Sequence, residues 1–144
     1  MTDQAKVLGT EKLTKEFLSL FKHIQKRAHR TSLDHGFWDI LGYINDMEEE
    51  CIMSPVKAAE LRDAVKAQKI ALAHSELSEL LEAVRGPSKP CEKVPSITVV
   101  EEECADLLIR LMDFSQEYQV RLGLATLLKM EFNEGRPHKH GKRF

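Results

Sequence analysis

Residues 55–84 read PVKAAELRDAVKAQKIALAHSELSELLEAV, and after Pro55 they hold neither glycine nor proline. Ser54-Pro55 is a cap followed by a first-turn proline, and Arg85-Gly86-Pro87 is a stop, so the spacing predicts one long helix from Pro55 to Val84. At about 100° per residue, Ala73, Leu77, Leu80, Leu81 and Val84 form one apolar stripe, expected to close a core. Upstream, Leu13, Phe17, Leu20, Phe21 and Ile24 share the helical period and predict a first helix from about Glu11 to Ser32, ended by Asp34-His35-Gly36. From Phe37 to Pro55 the period weakens, with only Met47 to Glu50 read as helical. Downstream, the proline-rich stretch Gly86 to Pro95 reads as a loop. A helix then runs from Ser96 or Thr98 to Tyr118, and a shorter one from Leu122 to Asn133. No segment alternates with the period of a strand, and the fold class is all-α, a helical bundle of about five helices.

The chain has 144 residues, enough for one domain with a core and too few for two. Lys+Arg 21 against Asp+Glu 23 gives a formal charge of −2, which excludes the broad basic character expected of a duplex nucleic-acid binder. Cys51, Cys91 and Cys104 form no CxxC pair and leave an odd count, unlike a disulfide framework or a zinc site. The N-terminus does not read as a signal peptide and no apolar run approaches a membrane span, so the expectation is a cytoplasmic protein with no membrane partner.

Two acid pairs carry the chemistry. Glu76 and Glu79 in the long helix, and Glu103 and Asp106 in the next, each stand at i, i+3 spacing, which places both carboxylates of a pair on one side of a helix. Glu76 borders its stripe. Glu103 likewise borders the stripe of Val100, Cys104, Leu107, Leu111, Phe114 and Tyr118, while Glu82 and Glu102 project away from theirs. Packed side by side, the two helices would aim four carboxylates into one cleft, a donor set suited to hard divalent cations such as Mg²⁺ or Mn²⁺. Either pair alone reads first as the ordinary flank of an amphipathic helix.

Further residues surround these pairs: Gly36-Phe37-Trp38, the run Lys69 to Glu79, Glu103-Cys-Ala-Asp106, then Lys129, Asn133, Arg136-Pro137 and His140-Gly141-Lys142. Together they resemble the MazG-like all-α nucleoside triphosphate pyrophosphohydrolases, whose pattern is ExxE, a spacer, ExxD and a C-terminal helix with lysine and asparagine. The likeness spans Asp34 to Phe144. Residues 42–65 match nothing in it and read as a helical insertion or dimerisation element, and residues 135–144 form a basic tail.

The resemblance implies a fold completed by oligomerisation, as a homodimer or homotetramer. It implies hydrolysis of a nucleoside triphosphate between the α and β phosphorus atoms, giving a monophosphate and pyrophosphate, in nucleotide pool control or house-cleaning. Glu76, Glu79, Glu103 and Asp106 would hold Mg²⁺, with Mn²⁺ as a substitute. Lys129, Asn133, Arg136 and Lys142 would meet phosphates or sugar. Some relatives carry a glutamate immediately before the first ligand; Ser75 stands there, leaving the general base open. Trp38 suits either a base platform or the core, Phe37 is read as core, and His74 as structural. Arg110, four residues after Asp106, is expected to hold that carboxylate by an ion pair. Two rivals stand beside this reading. A redox di-iron bundle would need Glu-x-x-His motifs that the acid pairs lack, and a non-catalytic helical interaction module would use the acids only as solvated surface.

Overall fold

The computed structural model describes residues 11–137. Over them the chain forms five helices, α1 (Glu11–Asp34), α2 (Asp39–Glu49), α3 (Pro55–Arg85), α4 (Val99–Glu117) and α5 (Leu122–Glu134). An isolated antiparallel bridge between Pro90 and Thr98 closes the α3–α4 loop. No helix among the described residues is long and apolar enough to cross a membrane.

Local chemistry sets the helix ends. Ser54 accepts a hydrogen bond from the Lys57 amide through its hydroxyl, with Pro55 in the first turn of α3. Thr98 and Glu101 form a reciprocal capping box at the start of α4, an arrangement worth about 1 kcal/mol for such a cap. Between α1 and α2 the chain reverses through Gly36 at φ +75°, and a Cβ there would lie 2.8 Å from Asp39 Oδ2. The weak period after Phe37 hides a full helix: α2 starts at Asp39, well before Met47, because its single apolar seam is satisfied locally by α3.

α4 packs along both α3 and α1, α2 lies on α3, and α5 meets α1. Ile44 of α2 is buried with Ala58 and Val65 of α3, flanked by Leu41, Met53 and Leu61. Arg62 ties the same two helices together through Asn45 Oδ1 at 2.8 Å and through Glu48. Residues 42–65 are therefore α2, its turn and the first third of α3, packed as a helical hairpin. At the other end, Gly123 lets α5 approach α1, since a Cβ there would meet the Phe21 ring at 2.9 Å.

The apolar stripes close the core only in part: Ala73 is buried and Leu80, Leu107, Phe114 and Tyr118 are half-buried. Leu77, Leu81 and Val84 of α3 are exposed, as are Leu111 and Cys104 of α4. The buried faces also take in neighbouring polar residues. Glu76 and Ala73 are buried on α3, Glu103, Met112, Asp113 and Ser115 on α4, and Thr14 and Gln25 on α1. Periodicity identifies a stripe, but two stripes share a border, and the charged one also faces the partner helices here. On α4 the inner seam runs Glu103, Asp106, Arg110, Asp113, Glu117, a 3-4-3-4 repeat made wholly of charged residues.

Candidate metal centre and cleft

Glu76, Glu103 and Asp106 offer carboxylate oxygens that all lie within 4.8 Å of one another. Glu76 is 7% exposed and Glu103 9%, burials that carboxylates adopt only with compensating partners. α3 supplies the first and α4 the other two, so the packing of these helices assembles the group. Burial, and then the nearby charges of Glu79, Glu102, Asp106 and Glu76, push the Glu103 carboxyl above its ordinary range. Burial and Glu76 push Asp106 the same way, against the opposing pull of Lys93 and Arg110. Three hard oxygen donors crowded together under mutual repulsion fit a divalent cation of the Mg²⁺ or Mn²⁺ type.

The fourth expected ligand, Glu79, is exposed and stands outside this group, close enough to act on Glu103 through its charge. Glu102 pairs with Lys93 at 2.8 Å and faces the α3–α4 loop, in keeping with its projection. Ser75 donates to the Leu72 carbonyl at 2.7 Å, so its hydroxyl is used within its own helix turn. His74 is exposed.

Arg110 departs from expectation. Its Nε and Nη2 both lie 2.9 Å from Glu76 Oε1, so it bridges α4 to α3 instead of holding Asp106. The reason is geometric. Asp106 and Arg110 share the inner face of α4, and from there the guanidinium meets the opposing buried carboxylate of α3.

A cleft of about 600 Å³ opens beside the carboxylates, lined by Glu76, Asp106, Ile109, Arg110 and Asp113, by Ile24, Arg27, Ala28, Thr31 and Ser32 of α1, and by His35 and Phe37. Its lining mixes acidic, basic, hydroxyl, apolar and aromatic side chains. Phe37 is 55% exposed and contributes to this lining, whereas Trp38 is 4% exposed. Of the two alternatives open to Trp38 the core one holds, whereas Phe37, expected in the core, is exposed. Trp38 Nε1 donates to Asp113 Oδ1 at 2.8 Å, and its ring meets those of His29 and Tyr118 edge-on. Lys69 caps that ring, its Nζ 4.0 Å from the centroid, and also donates to the Phe37 carbonyl. Burial lowers the Lys69 pKa, partly offset by the charges of Asp113 and Glu117.

Asp113 and His29 escaped the sequence reading. His29 Nδ1 lies 2.8 Å from Asp113 Oδ1 and its Nε2 3.4 Å from Glu117. Asp113 and Glu117 continue the 3-4 spacing of Glu103, Asp106 and Arg110, the signal that marks this face beside the more conspicuous apolar stripe.

The C-terminal cluster stands apart from this cleft within one chain. Lys129 and Asn133 are exposed on α5, and Lys129 and Arg136 both lie over the Phe132 ring, at 4.6 and 5.8 Å. None of the three lines the cleft. Lys142 and the rest of the tail from His138 lie outside the described residues.

Comparison of the chain with known protein families, with curated proteins and with solved structures finds no match.

Proposed function

We propose that the chain is a divalent-cation-dependent nucleoside triphosphate pyrophosphohydrolase, whose water attacks the α phosphorus to release a monophosphate and pyrophosphate. The observation that carries this reading is the group Glu76, Glu103 and Asp106, its carboxylate oxygens within 4.8 Å of one another, with Glu76 and Asp106 lining a cleft that Phe37, Ile24 and Ile109 also line. The resemblance of its motifs to MazG-like enzymes points the same way. Glu76, Glu103 and Asp106 would hold the cation, with Glu79 at the rim. When bound, the cation neutralises the triphosphate and lowers the pKa of a water. The chain does the rest. Phe37, Ile24 and Ile109 offer a surface for a base, by stacking and apolar contact. Thr31, Ser32 and Arg27 offer hydrogen-bonding groups in the same cleft. The Lys69 bond to the Phe37 carbonyl holds the aromatic turn in place.

The site is proposed to be finished by a second copy of the chain. Val56, Ile70, Leu77 and Val84 are exposed at multiples of seven residues along α3, joined by Leu81. Leu108 and Leu111 of α4 and Leu13 and Leu20 of α1 are exposed as well. A monomer rarely leaves so much aliphatic surface in water, and a homodimer or homotetramer would cover it. Such an assembly would also give Lys129, Asn133 and Arg136 a route to a neighbouring cleft.

The test is pyrophosphate release from a panel of ribo- and deoxynucleoside triphosphates with Mg²⁺, repeated with Glu79→Ala and Glu103→Gln. Release with at least one nucleotide, reduced in both variants, supports the enzyme. No release with any nucleotide favours the non-catalytic module.

A further inference from the structure

Glu76 belongs to two arrangements at once. It is one of the three crowded carboxylates, and it is the partner of Arg110, whose Nε and Nη2 converge on its Oε1. A guanidinium has five N–H donors in a planar fork, and the polar contacts of Arg110 here all fall on that single oxygen. Its side chain is 35% exposed and lines the cleft, while that of Glu76 is 9% exposed. Arg110, Glu76 and Asp106 thus all border the open space where a ligand would enter.

A carboxylate can serve two cations through its two oxygens, but each cation then weakens the other's hold through their mutual repulsion. Within a few ångströms, a divalent ion beside Glu76, Glu103 and Asp106 would repel the Arg110 guanidinium, and the guanidinium would hold back Glu76. An anion in the cleft removes the conflict, because it can accept the arginine's donors while it touches the ion. Phosphate oxygens suit the guanidinium fork, which binds them through two parallel hydrogen bonds.

Resting on the proposed triphosphate reading, we infer that Arg110 is an interlock: it occupies Glu76 in the free protein and transfers to the triphosphate when cation and substrate are both bound. Cation and anion then bind interdependently. Arg110 weakens the cation alone and strengthens the cation–phosphate complex, so a free protein in a cell rich in Mg²⁺ stays largely unloaded until substrate arrives.

The inference assigns opposite signs to one substitution. In Arg110→Met, which keeps the length and loses the charge, Mn²⁺ alone should bind the full-length protein about fivefold or more tighter. Its pyrophosphate complex, a product that the reaction does not cleave, should bind about fivefold or more weaker. Both changes correspond to coupling in the common range. Mn²⁺ is followed by the electron paramagnetic resonance of the free ion, and the complex by calorimetry. Arg110→Lys keeps the charge and should fall between the wild type and Arg110→Met on both readouts. It also guards against a folding artefact, since a loosened structure weakens both ligands together. Two ligands moving the same way, or neither moving, overturns the interlock. If Mn²⁺ binding is lost in Glu103→Gln but indifferent to Arg110→Met, the interlock alone fails. If Mn²⁺ binds neither wild type nor Arg110→Met, the cation reading fails and the interlock with it.

Discussion

Trp38 and Asp113 are joined by a 2.8 Å hydrogen bond from the indole Nε1 to a carboxylate oxygen, buried where the turn after α1 meets the inner seam of α4. His29 binds the same oxygen at 2.8 Å, so one carboxylate holds two rings from two other elements. This knot lies beside the cleft, and Asp113 is one of its lining residues.

Asp113→Ala leaves the buried Trp38 indole without its acceptor and takes from the half-buried His29 ring its contact at Nδ1. Each such loss costs about 1–3 kcal/mol. We expect a cooperative destabilisation in urea or thermal unfolding, larger than that of Asp113→Asn, which keeps an acceptor oxygen. Equal stability of Asp113→Ala and wild type would contradict the described network.

Phe37 and Trp38 are adjacent and have different predicted phenotypes. Trp38→Ala removes a buried aromatic and should cost about 3–5 kcal/mol of stability. Phe37→Ala removes a ring exposed at the cleft wall, so the fold should remain while the KM for a nucleotide rises severalfold with a smaller change in kcat. Unfolding by denaturant and steady-state kinetics on the two variants separate these outcomes. A stable Trp38→Ala protein with raised KM would restore Trp38 as the base platform.

The raised carboxyl groups of the triad predict a pH dependence. A carboxyl whose folded pKa exceeds its unfolded value binds more protons folded than unfolded between the two values. Its contribution to stability is then full below the ordinary carboxylate range and is lost as pH rises through the folded pKa. Glu103 and Asp106 both have this sign, whereas hydrogen bonds to Thr98 and Lys93 give Glu101 and Glu102 the opposite one. The comparison that isolates the triad is wild type against Glu103→Gln/Asp106→Asn without metal. The melting temperature of the variant should gain on that of the wild type between acid and neutral pH. Mg²⁺ should raise the wild-type value at neutral pH, less at acid pH, and leave the variant unmoved. A variant less stable than metal-free wild type at neutral pH would contradict the crowding of the three groups.

The exposed seam of α3 predicts an assembly. Leu81→Lys places a charge in that aliphatic row without touching the carboxylates, and should convert an oligomer into smaller species in sedimentation while helix content is retained. A wild-type chain that sediments as a monomer at micromolar concentration would contradict the proposed partner copy.

The parts of this fold legible in the sequence were those set by local signals. Ser54-Pro55 and Arg85-Gly86-Pro87 bound α3 within a residue of the expected ends, and of the two starts open for α4, Ser96 or Thr98, Thr98 is the cap. α2 was under-read because eleven residues with one buried contact row, centred on Ile44, give too short a period to stand out. The carboxylate group was legible as two i, i+3 pairs, since helix geometry converts that spacing directly into a face. Which face turns inward was not. That depends on the pairing of α4 with both α3 and α1, which brings Glu76 to Arg110 and Asp113 to Trp38 across 34 and 75 residues of chain. The same nonlocal pairing leaves Leu77, Leu81 and Val84 outside while Ala73 of the same stripe is buried.

The most direct measurement of the central claim is hydrolysis of the preferred nucleoside triphosphate in ¹⁸O-enriched water with Mg²⁺, the products resolved by phosphorus magnetic resonance. Attack at the α phosphorus predicts the label in the nucleoside monophosphate and unlabelled pyrophosphate, with turnover lost in Glu103→Gln. Label in pyrophosphate or in orthophosphate, or turnover indifferent to that substitution, would contradict it.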